Sequence, residues 1–143
     1  MMEQLEYIFR LGKEDFDDAR DIRMSVFVEE QGFVNEFDDI DNQAYHLVIY
    51  HQHQAIATGR MFVKDEQTLV LGRIATIKDY RNQGIGSKIV LALENKAYEL
   101  GCIKTQLSAQ QRAKGFYEKL GYQQVGEPYL DEWCLHVKMI KEI

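Results

Sequence analysis

The chain has 143 residues, of which 45% are hydrophobic and 28% are charged, and its formal net charge is −6. This composition is typical of one folded domain and excludes a disordered or fibrous chain. No apolar run approaches the roughly 20 residues that a membrane span needs, and the acidic balance argues against nucleic acid as a partner. Cys102 and Cys134 lie far apart without metal-ligand spacing or a secretory signal, which predicts reduced thiols in a cytoplasmic protein.

The hydrophobic pattern predicts strands and helices that alternate along the chain. The predicted strands are 6–11, 45–50, 56–64, 69–77, 103–108, 122–126 and 133–140. The predicted helices are 15–29, 84–100 and 111–120. Since no linker or repeat interrupts this order, residues 1–143 are expected to form a single α/β domain with a mixed sheet.

An acidic loop, residues 29–41, lies between the first predicted helix and the second strand. Residues 24–59 contain no Lys or Arg. The acids of the loop are Glu29, Glu30, Glu36, Asp38, Asp39 and Asp41. One interpretation is an acidic mouth on the acceptor side of a cleft, which would attract a cationic substrate such as an amine. The other is a solvated loop.

The most informative pattern is the glycine turn, residues 81–88, which joins the fourth predicted strand to the long helix. Its sequence is Arg81-Asn82-Gln83-Gly84-Ile85-Gly86-Ser87-Lys88. The first amides of a helix have no internal partner and lie at the positive end of its dipole, and glycine lets an anion approach without meeting a Cβ. The turn lacks the third glycine of a dinucleotide fingerprint and the residue order of a P-loop. It predicts a phosphate site, with glycines used only for packing as the alternative.

The short predicted helix carries a tyrosine beside its apolar stripe. Ala113, Phe116 and Leu120 recur at helical spacing and are expected to be the buried stripe, with Tyr117 at its edge. A covered tyrosine needs a partner for its hydroxyl. Tyr117 is therefore either an aromatic residue at the edge of the core or a phenol that points into a cleft.

These segments together resemble the GNAT superfamily of acyl-CoA-dependent N-acetyltransferases. The resemblance is carried in order by Ile74-Ala75-Thr76, the Arg-x-x-Gly-x-Gly turn, the long helix and the later Phe-Tyr-x-x-x-Gly-Tyr. Residues 23–32, Asp39, Asp41, 44–47 and 135–139 resemble a bacterial subgroup whose acceptor substrate is unassigned. GNAT members often have Asn where this chain has Gln110, which places the side-chain contact there in doubt.

The resemblance implies a mixed central sheet that splays between its fourth and fifth strands, with helices on both faces. It implies acetyl-CoA as cosubstrate, with its pyrophosphate on the amides from Gln83 to Ser87 and its pantetheine arm along the strand end. The implied coenzyme-binding residues are Ile74, Ala75, Thr76, Arg81, Asn82, Gln83, Gly84, Ile85, Gly86, Ser87, Lys88 and Gln110. Tyr117 is implied as the general acid for the leaving thiolate, and the backbone amide of Thr76 is a candidate for the oxyanion.

The base for the incoming amine stays open at this point. His136 and Glu29 are the candidates that we favour. His136 and His46 are both attractive because imidazole titrates near neutral pH, and a structural histidine is the alternative for each. The other candidates are Glu30, Asp39, Asp41 and His46. His51 and His53 lie in a predicted hairpin turn, where a solvated turn is more common than a metal site, so no metal is expected.

Three functions remain open. The first is transfer of an acetyl group to a small cationic amine by direct attack, with a homodimer left open. The second is acyl transfer to another acceptor, because residues 26–30 faintly resemble acyl-homoserine-lactone synthases. The third is a non-catalytic module that binds or senses acyl-CoA.

Overall fold

A computed structural model describes residues 4–143. Its strands are β1 Leu5–Leu11, β2 Tyr45–His51, β3 Gln54–Asp65, β4 Thr68–Thr76, β5 Lys104–Gln110, β6 Gln123–Asp131 and β7 Cys134–Glu142. Its α-helices are α1 Asp17–Arg23, α2 Ile85–Glu99 and α3 Lys114–Lys119. The first helix continues as a π-helix over Met24–Glu30, and 3-10 turns cover Asp39–Asn42, Lys78–Tyr80 and Gln111–Ala113.

The strands form one mixed sheet in the order β1-β2-β3-β4-β5-β7-β6. Of the neighbouring pairs, only β4 and β5 run parallel in the part of the chain that the structure describes. Their ladder begins at Thr68 opposite Lys104 and ends at Leu71 opposite Leu107. Both strands continue beyond this point, β4 to Thr76 and β5 to Gln110, without pairing with each other. The predicted splay between the fourth and fifth strands is therefore confirmed.

A bulge in β4 lies where this ladder ends. Thr58 of β3 pairs with Ala75 and Arg60 pairs with Gly72, so β4 carries one extra residue between the two pairs. Arg73 lies in the bulge with a φ of 49°, in the left-handed region that non-glycine residues rarely adopt. Because a bulge bends its strand and increases its twist, it turns β4 away from β5.

Helices cover both faces of the sheet, as predicted. On one face α2 packs Ile89 and Leu93 into a core that includes Leu47 of β2. On the other face α1 packs Ile22 in a cluster that includes Val48. Adjacent residues of a strand point to opposite faces, so Leu47 and Val48 separate the two layers. Within residues 4–143, no helix is both long enough and apolar enough to cross a bilayer.

Candidate active site

A cleft of about 350 Å³ lies where β4 and β5 separate. Arg73 and Ile74 of β4 line one side, and Gln110, Tyr117 and His136 line the other. Parallel strands that part in this way leave unpaired backbone groups and room for an extended ligand.

Tyr117 is the one buried residue of α3, with 9% of its surface exposed. The expected stripe is therefore wrong in detail, because Ala113, Phe116 and Leu120 are only partly buried. The Tyr117 ring packs edge-on against Phe116, and burial raises the pKa of its phenol to about 12. Its phenol therefore keeps its proton, and because its hydroxyl makes no hydrogen bond among residues 4–143, it is free for a ligand in the cleft.

His136 of β7 lies opposite Gln110 of β5 and also lines the cleft. Its Nδ1 is 3.0 Å from the carbonyl oxygen of Cys134. A carbonyl can only accept, so in the neutral ring Nδ1 carries the proton and Nε2 carries the lone pair. His46 differs, because its Nε2 is 3.1 Å from the carbonyl oxygen of Asp41, and burial lowers its pKa. His46 is not among the residues that line the cleft.

The acidic loop does not form an acidic mouth. Three of its acids enter a largely buried charge cluster with three arginines from α1, β3 and β4. The members are Arg23, Arg60, Arg73, Glu36, Asp38 and Asp41. Asp41 is completely buried, 2.8 Å from Nη1 of Arg23 and 2.9 Å from Nη1 of Arg60. The three positive charges cancel the three negative ones.

The cluster shifts the pKa values of Glu36 and Asp41 in opposite directions. Burial raises the pKa of Glu36, although Arg73 and Arg23 oppose this. Burial also acts to raise the pKa of Asp41, but hydrogen bonds from Arg23 and Arg60 outweigh it, and the net pKa is lowered. Asp41 is therefore the firmly ionised centre of the cluster.

The remaining predicted acids lie outside the cleft lining. Glu29 is exposed, and the structure does not bring it to the cleft. Glu30 holds Arg81 through two hydrogen bonds of 2.7 and 2.9 Å, and Nε of Arg81 donates to the carbonyl of Thr76 at 3.0 Å. The guanidinium expected at the phosphate site is thus already paired with a carboxylate.

The glycine turn has the predicted form of a strand, a turn and a helix start. Helix α2 begins at Ile85 after Gly84, whose φ is 79°, and no side chain caps it. Lys88 is the first residue whose amide bonds within the helix, to Gly84 at 3.3 Å. The amides of Ile85, Gly86 and Ser87 precede that bond and therefore lack helical partners.

The two glycines of this turn have different roles. A Cβ on Gly84 would meet nothing within 4 Å, whereas one on Gly86 would lie 3.1 Å from the ring of Phe116. Gly86 thus permits close packing of α2 on α3. Beside them, Asn82 has a φ of 62°, and the side chain of Gln83 donates to the carbonyl of Asp79.

The end of β4 presents backbone groups to the cleft that do not pair with β5, although the carbonyl of Thr76 accepts from Arg81. Ile77 donates its amide to Ile56 of β3 at 2.9 Å. Because successive residues of a strand direct their backbone groups to opposite edges, Thr76 directs its own toward the open edge. Ile74 lines the cleft, while Ala75 is buried in the cluster under α1.

A strap formed by residues 30–35 crosses the cleft, and no sequence pattern predicts it. Glu30 is tied to Arg81, and Gln31 accepts a 2.7 Å hydrogen bond from Gln110 at the end of β5. The amides of Val34 and Asn35 donate to Glu132 in the β6–β7 turn, each at 2.9 Å. The strap is therefore fixed to the ends of both splayed strands and to the following hairpin.

Comparison with known proteins agrees with this geometry. A family model described as an acetyltransferase (GNAT) domain matches residues 16–143. The uncharacterized protein YyaT of Bacillus subtilis is 39% identical over 134 residues, which are 90% of each chain. The uncharacterized N-acetyltransferase YjcF of the same organism is 33% identical over 141 residues, covering 96% of this chain and all of YjcF.

Solved structures share the fold. A candidate N-acetyltransferase from Lactobacillus plantarum superposes with a TM-score of 0.90 at 30% identity, covering 98% of this chain and 99% of its own. A GNAT family acetyltransferase from Elizabethkingia anophelis with acetyl-CoA bound has a TM-score of 0.74 at 14% identity, over 99% of both chains. This second likeness shows the fold alone. The family match over most of the chain, together with these relatives, shows that the protein is an acyltransferase of the GNAT acetyltransferase family.

Proposed function

We propose that the protein transfers an acetyl group from acetyl-CoA directly to the amine of a small acceptor. The observation that carries this proposal is the open cleft between β4 and β5 with the protonated phenol of Tyr117 in its wall. The fold is also that of the Elizabethkingia protein that binds acetyl-CoA.

The coenzyme would bind along features that are otherwise unused. Its pyrophosphate would accept hydrogen bonds from the amides of residues 85–87, and the exposed Lys88 would add positive charge. Its pantetheine arm would pair with the open edge at Ile74–Thr76 as an added strand. This path brings the thioester toward Tyr117.

The reaction needs little from the protein beyond position and proton transfer. An alkylammonium must lose a proton before it attacks, and Nε2 of His136 would take it, directly or through a water. The amine nitrogen then bonds to the acetyl carbon, and the amide of Thr76 would stabilise the oxyanion. As the C–S bond breaks, Tyr117 would give its proton to the thiolate. We favour His136 over Glu29 because only His136 lines the cleft.

Few acidic side chains in the cleft lining are left to attract a cationic acceptor. Glu36 is neutralised by arginines, and both oxygens of Glu132 accept backbone amides. Asp131 is exposed, lines the cleft and has no ion-pair partner among residues 4–143. A cationic acceptor would therefore be attracted by Asp131 instead of the acidic loop.

Two alternative functions are compared with this proposal. A cleft plugged by side chains would favour an acyl-CoA sensor, whereas the volume beside Tyr117 favours catalysis. The acyl-homoserine-lactone synthase BjaI superposes with a TM-score of 0.78 at 14% identity, covering 97% of this chain and 82% of its own, which shows a common fold. A screen of amines and other acceptors with acetyl-CoA, followed by release of free thiol, separates these functions.

The coenzyme site has a test with a matched control. Gly84 and Gly101 both have left-handed φ, 79° and 89°, and a Cβ at either position would meet nothing within 4 Å. Gly84→Val and Gly101→Val should lose similar stability from backbone strain. Only Gly84→Val should lose binding of coenzyme A, measured by titration calorimetry. Unchanged affinity in a folded Gly84→Val variant would refute the site.

A further inference from the structure

A glutamate occupies an unusual place in the turn between β6 and β7. Glu132 and Trp133 form this two-residue turn, and Asp131 and Cys134 on either side of it pair with each other. Positions with left-handed φ in such turns favour Gly, Asn and Asp, yet Glu132 has a φ of 55°. Strain of this kind persists where surrounding contacts fix it. Turn formation therefore does not account for a glutamate here.

The carboxylate of Glu132 accepts two consecutive backbone amides of the strap. Its Oε1 accepts the amide of Val34 and its Oε2 accepts that of Asn35, each at 2.9 Å. The preceding amide, that of Phe33, donates to the carbonyl of Phe27 at 2.9 Å. Hydrogen bonds to a charged acceptor are stronger than neutral ones. Phe33 is therefore fixed by backbone bonds on both of its sides.

Phe33 is the residue that these bonds position. It is the one buried residue of the strap, with 7% of its surface exposed. Its ring centroid lies 5.4 Å from that of Trp133 and 6.3 Å from that of His136, edge-on to the imidazole. Phe33, Glu132 and His136 all line the cleft. The contacts of Glu132 thus reach the cleft through Phe33, which lies beside the imidazole proposed as the base.

The strap has a coenzyme end and a hairpin end. At the coenzyme end, Glu30 is tied to Arg81 in the glycine turn. At the hairpin end, Glu132 holds the strap beside β7, which carries His136. An amine that gives its proton to His136 has to approach at the hairpin end, so Phe33 belongs to the surroundings of the acceptor.

We infer that Glu132 is a positioning residue of the acceptor site, which clamps the strap so that Phe33 forms a fixed wall beside His136. The inference rests on the proposed function, because the acceptor is the amine that His136 deprotonates. A fixed wall is a preformed surface, whereas a loose strap has to be ordered when the acceptor binds, which weakens the apparent affinity. Loss of the clamp therefore raises the acceptor KM and leaves coenzyme binding, at the other end of the strap, unchanged.

Two substitutions of Glu132 separate the clamp from the turn. Glu132→Gln keeps the length of the side chain but leaves one acceptor oxygen for two amides. Glu132→Gly removes both bonds and suits the left-handed φ, so it relieves the backbone strain and should keep the protein folded. Glu127→Gln is the charge-matched control, since Glu127 is exposed on β6 and is not among the residues lining the cleft.

Hydrogen exchange followed by NMR measures the clamp, and steady-state kinetics measure its consequence. The amides of Val34 and Asn35 should exchange at least about tenfold faster in Glu132→Gly, because they lose charged hydrogen bonds. The kinetics use acetyl-CoA and the primary amine that reacts fastest in the acceptor screen. The amine KM should rise at least about fivefold in Glu132→Gly and by less in Glu132→Gln. Both kcat and the calorimetric Kd of coenzyme A should change by less than about twofold.

Every outcome supports or overturns the inference. Faster exchange with a higher amine KM and unchanged affinity for coenzyme A supports it. Unchanged exchange of Val34 and Asn35 in Glu132→Gly overturns it, and so does an unchanged amine KM or an equal rise in Glu127→Gln. A loss of coenzyme A affinity as large as the rise in amine KM shows general loosening and also overturns it. Wild-type protein that binds coenzyme A but releases thiol with no amine overturns the proposed function, and the inference with it.

Discussion

Tyr117 and Tyr122 form a natural pair for testing the general acid. Their rings lie 6.0 Å apart and both side chains are buried, but their hydroxyl groups differ. The Tyr117 hydroxyl has no partner among residues 4–143, whereas that of Tyr122 lies 2.7 Å from Thr105 and donates to Glu94 at 2.9 Å. Replacing each tyrosine by phenylalanine removes one oxygen and keeps the ring.

Tyr122→Phe should lower stability more than Tyr117→Phe does, whereas Tyr117→Phe should lower the catalytic rate more. Tyr122→Phe removes a hydrogen bond to a buried carboxylate, so the free energy of unfolding should fall by about 2 kcal/mol. For a chain of this length, Tm should drop by roughly 6–10 °C. Tyr117→Phe breaks no hydrogen bond within the described chain and should change the free energy of unfolding by less than about 0.5 kcal/mol.

Catalysis should respond to Tyr117 alone. General acids contribute about 10²–10⁴-fold, and since coenzyme A thiolate leaves moderately well unaided, we expect kcat to fall at least about tenfold in Tyr117→Phe. Affinity for acetyl-CoA should hardly change. Burial raises the pKa of Tyr117 to about 12, so its phenol should stay protonated at all pH values up to about 10. In that range, the rate should show no decrease caused by loss of this proton.

The assay is thiol release from acetyl-CoA with an acceptor found by the screen, under conditions in which chemistry limits the rate. Tyr122→Phe serves as the control, with normal kcat in the folded protein despite its lower Tm. If kcat of Tyr117→Phe equals that of the wild-type protein, Tyr117 is a packing residue and another group protonates the thiolate.

Two further predictions concern charged residues. Asp41→Asn should lower the free energy of unfolding, measured in denaturant titrations, by about 3–5 kcal/mol, because it leaves buried guanidinium groups without their carboxylate. Asp39→Asn is the control and should change this free energy little, because Asp39 is exposed. The pKa of Asp41 is lower in the folded protein, so its ionised form stabilises the fold fully above its ordinary pKa of 3.8, and this stabilisation is lost as the pH falls through the folded-state pKa. In Asp41→Asn, the free energy of unfolding should therefore depend less on pH in this acid range. Glu30→Gln should free Arg81 from its ion pair and tighten coenzyme A binding several-fold at low salt. Glu29→Gln is the control, and equal tightening in that variant would show that the change in net charge is the cause and contradict a specific role of the Glu30–Arg81 pair.

Local patterns were sufficient to predict the glycine turn and most of the elements. The turn needs only neighbouring residues, since a strand that runs into Gly84 and an amphipathic helix defines it. The splay could not be derived from such patterns and came from the family resemblance. The first helix was predicted as regular, but it changes to π geometry at Met24, and the hydrophobic pattern does not distinguish the two forms.

The charge cluster was missed because its pairs are distant in sequence. Arg23 and Glu36 are 13 residues apart, and Arg73 and Glu36 are 37 apart. A signal was nevertheless present, because Arg23 follows Ile22 on the apolar side of α1 and Arg60 lies within the buried run of β3. A charge in an apolar run implies a buried partner, and the acidic loop contains the carboxylates that supply it.

The cluster also explains how the cleft persists. The left-handed φ of Arg73 costs of order 1–3 kcal/mol and is kept only where surrounding contacts fix it. Arg73 makes contacts of 2.9 Å to Glu36 and 3.3 Å to Asp38, and these bind the bulge to the acidic loop. The first half of this loop contains the strap that crosses the cleft. The acids of the loop that could be interpreted from the sequence as a substrate-attracting surface therefore have a structural role, because they hold β4 in the bulged form that separates it from β5.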